Sequence, residues 1–483
     1  MRVLAYSFLV FGLGLVGSCK TPTAEEPSSA LNSTSSNLYN GLVAKVIQDS
    51  RNQKLSDVPL DKLATSDNSN LKLLVETPEI YRSAAKLIEN AEYEVLIATY
   101  TWDVRPERAQ DGNEPAKTLF TAIAKAAKKI ENFSSGTPRQ LKVKILINQI
   151  QLLSSPEASI KEIVNSVEKY LAPLDFDKDK LDIRIATFPH KTLGNLHDKM
   201  IVVDGKHTVV TGANIQSNNN FKPYRWFDLG FQVSGPFAAA ATEEFDHKWN
   251  HGYEVVTGRN WRWQCKINSA GKLDCKVDPV KFVVNPGKRR FMKFRGLRGQ
   301  TSVIALPQSC EADSIVADRN LNSPQNAAWV YAFENAKSSI KVLSPNIDAE
   351  DFIRLSGEAA ARGVNVKIVS SKGFNAEKID IVGDTNTQVF EKLKSHSQAG
   401  TKLLGKWFVP EGETVPPVGG VAKAMHAKLL IADDEVVIMG SGNQDRFAWY
   451  HSCEFNAAFA EKQPVREAVA VFDKIWQRSV NAL

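Results

Sequence analysis

Residues 195–205, NLHDKMIVVDG, place His197, Lys199 and Asp204 in the spacing His-x-Lys-x4-Asp, and residues 424–434, AMHAKLLIADD, repeat it with His426, Lys428 and Asp433. Each copy is followed by an asparagine at one offset, Asn214 (214 − 197 = 17) and Asn443 (443 − 426 = 17). Each reads as strand, tight turn, strand: MIVV and LLIA end at Asp204-Gly205 and Asp433-Asp434, and TVVTG and VVIMG return. Alternation along the first strand points His and Lys to the same face. The returning strand brings Thr211-Gly212-Ala213-Asn214, or Gly440-Ser441-Gly442-Asn443, back towards them. Small residues there let backbone approach a ligand closely.

The repeat extends outward from the motifs. EIYRSAAKLIENAEYEVLIATYTW in the first half and NAAWVYAFENAKSSIKVLSPN in the second both read as a helix followed by a buried strand. PAKTLFTAIAKAAKK with LKVKILIN is answered by AEDFIRLSGEAAARG with VNVKIVSS. Both halves end on Phe-x3-Trp, Phe245 to Trp249 and Phe472 to Trp476, an i, i+4 core pair on a helix. Strands alternating with helices predict an α/β fold of two tandem, pseudo-symmetric α-β-α sandwich domains sharing one active site, at residues 70–256 and 300–483. A basic linker, 257–299, separates them.

The residue types suit a phosphodiester. A neutral imidazole attacks phosphorus and forms a covalent intermediate. A second, protonated imidazole gives a proton to the leaving alkoxide and then activates the incoming water or alcohol. Lys199 and Lys428 neutralise phosphate charge, and Asn214 and Asn443 donate to its oxygens, with Thr211 and Ser441 beside the phosphate. Side chains meet the charge, so the pattern calls for no metal and no cofactor. Asp228 and Glu454, 14 and 11 residues past the two asparagines, are the candidates to orient the partner histidine; the plainer alternative is a surface or hairpin carboxylate. Asp204 and Asp433, at the turns, are expected to cap the hairpins rather than touch substrate.

The chain opens with Arg2, an apolar run Val3–Val16, and then Gly17-Ser18-Cys19. Residues 1–19 are expected to be a lipoprotein signal peptide whose Cys19 is lipidated; a plain secretory signal cut nearby is the alternative. Residues 20–69 read as a tether and N-terminal extension, because 20–40 are rich in Ser, Thr, Pro and Asn. The expected location is exported, periplasmic or anchored to the outer membrane. Four cysteines remain, and export permits two disulfides: Cys265 with Cys275 across a hairpin, and Cys310 with Cys453; four buried thiols are the other reading. Net charge is only +6, so any anion-binding surface must be local. The run Lys288-Arg289-Arg290-x-x-Lys293-x-Arg295-x-x-Arg298 is one such cluster. It suits an anionic membrane, nucleic-acid phosphates, or a solvated loop, and Trp261-Arg262-Trp263 nearby favours the membrane.

The paired His-x-Lys-x4-Asp motifs with their downstream asparagines resemble the phospholipase D superfamily over nearly all of residues 75–480. AAARGVNVKI, WFDLGFQVSGP and the terminal Phe-x3-Trp are similar to bacterial cardiolipin synthases and related phospholipases D. The chain departs from that pattern at Thr211-Gly212, where the family often has Gly-Gly or Gly-Ser, and at SPNIDAED before the second helix. The resemblance implies two α-β-α sandwiches around one site, His197 as nucleophile and His426 as general acid; the residues themselves do not rank the two histidines. It implies action on phospholipid, by hydrolysis or by transfer to an alcohol; the lipid anchor and the basic linker are expected to hold the chain, a monomer, at a membrane surface. A metal-independent nuclease is the alternative.

Overall fold

In the computed structural model the strand Ala64–Val75 serves two sheets: Ala64–Asn68 pairs with Thr301–Gln308, and Ser69–Val75 with Leu229–Ser234. The structure describes residues 36–52, 58–103, 114–131, 140–148, 156–188, 194–216, 225–254, 262–277, 300–310, 321, 323–374, 383–396, 402–418 and 423–483. The expected signal segment with Cys19, the tether up to residue 35, Trp261 and the basic run 288–298 lie outside them.

The first sheet runs Leu273–Val277, Arg262–Ile267, Leu181–Phe188, Leu141–Asn148, Glu94–Thr99, Met200–Val203, His207–Thr211, Leu229–Ser234 and then the end of Ala64–Val75. The second runs Val480–Asn481, Leu403–Trp407, Asn365–Ser370, Ser339–Ser344, Leu429–Ala432, Val436–Gly440, Glu454–Phe459, Thr301–Gln308 and then the start of Ala64–Val75. The order is the same in both, and so is the mixture. Three strands lie parallel at the centre, joined through helices, and the motif hairpin pairs antiparallel beside them. Parallel neighbours need helical crossovers that cover the sheet faces. Glu114–Glu131 and Pro156–Ser166 make these crossovers in the first half, Glu350–Ala361 and Asn386–His396 in the second.

Three apolar clusters hold the layers. One lies on the outer face of each sheet. The third lies between the halves and takes Phe231, Phe237 and Phe245 from the first with Phe455, Phe459 and Phe472 from the second. A shared core of this kind joins the halves into one unit, because its apolar faces are dry only when they meet.

Two expectations about boundaries need correction. The segment taken as tether and extension contains the helix Asn37–Asn52, whose Tyr39, Leu42, Val43 and Val46 are buried against Trp329 and its neighbours in the second half. Their i, i+3, i+4, i+7 spacing is an amphipathic stripe. The first sheet's own edge begins in Ala64–Val75, so a boundary at residue 70 falls inside a strand. Within the linker, Arg262–Ile267 and Leu273–Val277 form a hairpin that extends the first sheet by pairing with Leu181–Phe188. Cys265 and Cys275 face each other across that hairpin and are bonded; Cys310 and Cys453 are bonded as well. No described helix is long and apolar enough to cross a membrane.

Candidate active site

The two motifs are built alike. In each, the turn between the hairpin strands has two consecutive residues in the left-handed region, Asp204 (φ 54°) with Gly205 (φ 62°), and Asp433 (φ 55°) with Asp434 (φ 56°). Such a turn matches the twist of the flanking strands. The Asp204 carboxylate accepts from the backbone N–H groups of Glu92 and Tyr93 at 2.8 Å and of Glu94 at 2.9 Å. Asp433 accepts from those of Lys337 and Ser338 at 2.8 Å and Ser339 at 2.9 Å, and from the Ser338 hydroxyl. The motif aspartates are thus structural, but they cap the entry to the neighbouring parallel strand rather than their own hairpin. The backbone donors overcome the upward push of burial and hold the Asp433 carboxyl below its ordinary value.

At the opposite end of the hairpins the halves cross. Leu196 bridges Cys453, the His197 N–H donates to the Cys453 carbonyl at 2.9 Å, and His197 Nδ1 lies 2.8 Å from Glu454 Oε1. In the mirror arrangement Met425 bridges Phe227, the His426 N–H donates to the Phe227 carbonyl at 2.8 Å, and His426 Nδ1 lies 2.8 Å from Asp228 Oδ2. Each half therefore orients the other half's histidine, by one backbone clip and one carboxylate. A carboxylate on Nδ1–H leaves Nε2 as the free, basic nitrogen. The sequence pointed to Asp228 and Glu454, and the structure brings each to a histidine ring. Gly212 makes room for one of them: a Cβ there would stand 2.3 Å from Asp228 Oδ1.

Burial sets the charge states. It holds both imidazoles below their ordinary value: His197 against the upward pull of Glu454, and His426, with Lys428 beside it, at about 4. Burial also brings Lys199 down to about 7 and Lys428 to about 8, while Glu454 and Asp228 pull them upward. Burial alone would raise the Glu454 carboxyl; His197, Lys199 and the Ser441 hydroxyl outweigh it and keep it ionised. Burial thus favours the neutral form of both imidazoles.

Both histidines and both asparagines line one cavity of about 380 Å³ between the halves. Lys199 and Lys428 lie beside it, each ammonium donating to the carbonyl of its own motif histidine. Two expected contacts differ from the sequence reading. The Thr211 hydroxyl donates to the Leu229 carbonyl at 2.9 Å and accepts from the Ala213 N–H at 3.0 Å, and the Ser441 hydroxyl donates to Glu454 Oε2. Both hydroxyls are spent on backbone or carboxylate partners. Counted from the histidines, Ser441 corresponds to Gly212 (441 − 426 = 15, 212 − 197 = 15) and not to Thr211. Sequence reasoning missed the aromatic walls: Tyr100, whose ring centroid is 5.2 Å from that of His197, and Trp226 and Phe374, at 4.9 and 5.8 Å from His426. It also missed Gln216 and Asp445, which line the cavity. Their signal was available, since each stands two residues past a motif asparagine. No described group of His, Cys, Asp and Glu side chains is arranged to hold a metal.

Fold and site together define a duplicated α/β protein with one composite two-histidine centre. Residues 330–476, in the second half, match the family described as cardiolipin synthase, PLD-like domain. Among solved structures it is similar to phosphatidylserine synthase from Haemophilus influenzae, with TM-score 0.55 and 15% identity over 90% of this chain and 92% of that one, a likeness of fold. It also matches a phospholipase D family member, Nuc, from Salmonella typhimurium, with TM-score 0.28 and 16% identity over 37% of this chain and 96% of that one. No curated protein matches it in sequence.

Proposed function

We propose that the protein is a phospholipase D-type phosphodiesterase or phosphatidyltransferase that acts on membrane phospholipids through a covalent phosphohistidine. The crossed His–carboxylate pairs carry this reading, because they prepare two imidazoles with Nε2 free on one cavity. Nε2 of one histidine attacks phosphorus, and the bond to the leaving alcohol's oxygen breaks. The second histidine gives that oxygen its proton. It then takes a proton from water or an acceptor alcohol, whose oxygen displaces the first histidine. Lys199, Lys428, Asn214 and Asn443 offset the charge on the phosphoryl oxygens. In this scheme His197 is the nucleophile and His426 the acid, after the superfamily pattern.

The lipid assignment draws on the Val16-Gly17-Ser18-Cys19 segment, which supports export and lipidation of Cys19 at a membrane surface. Two disulfides fit an oxidising compartment. The test is incubation of the protein with labelled phospholipid, with and without added alcohol, and mass analysis of the products; His197→Ala is the control and DNA a parallel substrate. Phosphatidic acid or a transfer product from wild type alone supports the reading. DNA cleavage without lipid product replaces it with a nuclease. Cell fractionation of Cys19→Ala checks the anchor, which predicts a shift from the membrane to the soluble fraction.

A further inference from the structure

The cavity walls correspond position by position. After the strand ends, Tyr100-Thr101 answers Pro345-Asn346; two residues past each asparagine, Gln216 answers Asp445. The backbone frame is repeated and the charge is not. Asp445 is 6% exposed, and its Oδ1 accepts from the Ala448 N–H at 2.8 Å, which caps the short helix Arg446–Tyr450. Oδ2 accepts from Asn443 Nδ2 at 2.8 Å and Asn346 Nδ2 at 3.3 Å. Among the described residues no Lys, Arg or His side chain stands within ion-pairing distance of it. A carboxylate has room for more donors than these three, and Lys428 acts on this buried one only from beyond ion-pairing distance, which leaves its charge partly offset.

The charge count points the same way. Beside the cavity stand two lysines, Lys199 and Lys428, against the carboxylates Asp228, Glu454 and Asp445, and burial together with the Asp445 charge pushes the neighbouring Asp348 carboxyl up to about 7. Asp228 and Glu454 are turned to the histidines, and a phosphodiester adds one more negative charge. Phe447, Phe374 and Trp226 line the same cavity, and aromatic faces favour ammonium groups.

We propose that Asp445, with the aromatic wall, forms a subsite for an ammonium group carried on the alcohol portion of the phosphodiester, so that the enzyme selects amine-bearing headgroups or acceptors over neutral polyols. This rests on the phosphodiesterase reading above. The ammonium offsets the Asp445 charge while the phosphate sits between the histidines.

The test uses the full chain and the Asp445→Asn variant; asparagine keeps an acceptor for the helix cap and removes the charge. kcat/KM is measured for phosphatidylethanolamine and phosphatidylglycerol in matched micelles, and for transfer to ethanolamine and to glycerol. Wild type is expected to favour the amine by at least about tenfold, and Asp445→Asn to lower the amine-to-glycerol ratio by about tenfold, whatever loss the two substrates share. The headgroup arm and the acceptor arm show which of the two the subsite holds. An unchanged ratio, or a wild type that prefers the polyol in both arms, overturns the subsite and leaves Asp445 a helix cap that holds Asn443. Bis(p-nitrophenyl) phosphate separates the underlying failure: its cleavage with neither lipid touched overturns the subsite and the lipid substrate only, and no cleavage of it or of either lipid overturns the phosphodiesterase reading too.

Discussion

Behind His197 the first half buries three charges, and behind His426 the second buries none. Asp198, the residue inside the first motif, is ion-paired with Lys248, which is also paired with Glu244; all three are 1% exposed or less. Burial pulls the Lys248 ammonium down, yet Asp198 and Glu244 outweigh it and hold it above its ordinary value. The corresponding residues of the second half are Ala427, Val471 and Ile475, packed in the central core. The histidines, lysines and asparagines at the cavity are kept in pairs while the layer beneath them differs. The ion triad is therefore one solution to filling that layer and not a requirement of the chemistry, since the second histidine is held without it.

A second contrast lies in the carboxylates. Glu454 is held on both oxygens, by His197 and Ser441, while Asp228 Oδ1 has no hydrogen-bond partner among the described residues. Glu454→Gln and Asp228→Asn should each lower kcat by about 10²- to 10⁴-fold, with the larger loss for Glu454→Gln. Steady-state kinetics of the two variants checks this, and equal losses would erase the functional difference between the halves. Lys248→Ala should destabilise the protein by about 3–5 kcal/mol, because it strands two buried carboxylates. Replacing the triad with the second half's residues, Asp198→Ala, Glu244→Val and Lys248→Ile together, should be neutral or stabilising. Denaturant unfolding of both variants decides whether the triad is interchangeable; a triple variant as unstable as Lys248→Ala would make it specific to the first half.

The motif aspartates offer the opposite comparison, a feature on which the halves agree. Asp204→Ala and Asp433→Ala should each cost about 1–3 kcal/mol, slightly more for Asp433 with its extra hydroxyl donor, measured as a shift in Tm. Unequal costs beyond that margin would mean that the two turns are not equivalent. The lysines set the pH response. In the free enzyme Lys199 at about 7 and Lys428 at about 8 lose their protons as pH rises, so kcat/KM should fall by about tenfold per unit above that range. A bound phosphodiester favours the ammonium form, so the fall in kcat should begin at higher pH. Coincident profiles would show that these lysines do not face the phosphate. The smallest effect belongs to the disulfides. Cys453 precedes Glu454 and clips His197, so Cys310→Ala with Cys453→Ala should lower kcat a few-fold. Cys265→Ala with Cys275→Ala, in the hairpin at the sheet edge, should leave kcat unchanged.

Much of this site was legible in the chain. The equal offsets from His197 and His426 to their asparagines require one local geometry twice, and Asp228 and Glu454 were identified by residue type and position after them. What escaped depends on contacts distant in sequence. The start of Ala64–Val75, ATSDNSN, has no apolar alternation and becomes a strand only because Thr301–Gln308 pairs with it. The partners of Asp204 and Asp433 are backbone groups about a hundred residues earlier, which carry no residue-type signature.

The strand Ala64–Val75 bears on how the chain can be divided. A cut anywhere in 278–299 separates the two motifs in sequence, yet the N-terminal piece keeps the helix Asn37–Asn52 and the strand segment Ala64–Asn68, both built into the C-terminal half. The arm runs one way: the first sheet is complete within the N-terminal piece, while the C-terminal piece lacks an edge strand and a packed helix. Separately made fragments are expected to regain the two-histidine centre only when mixed.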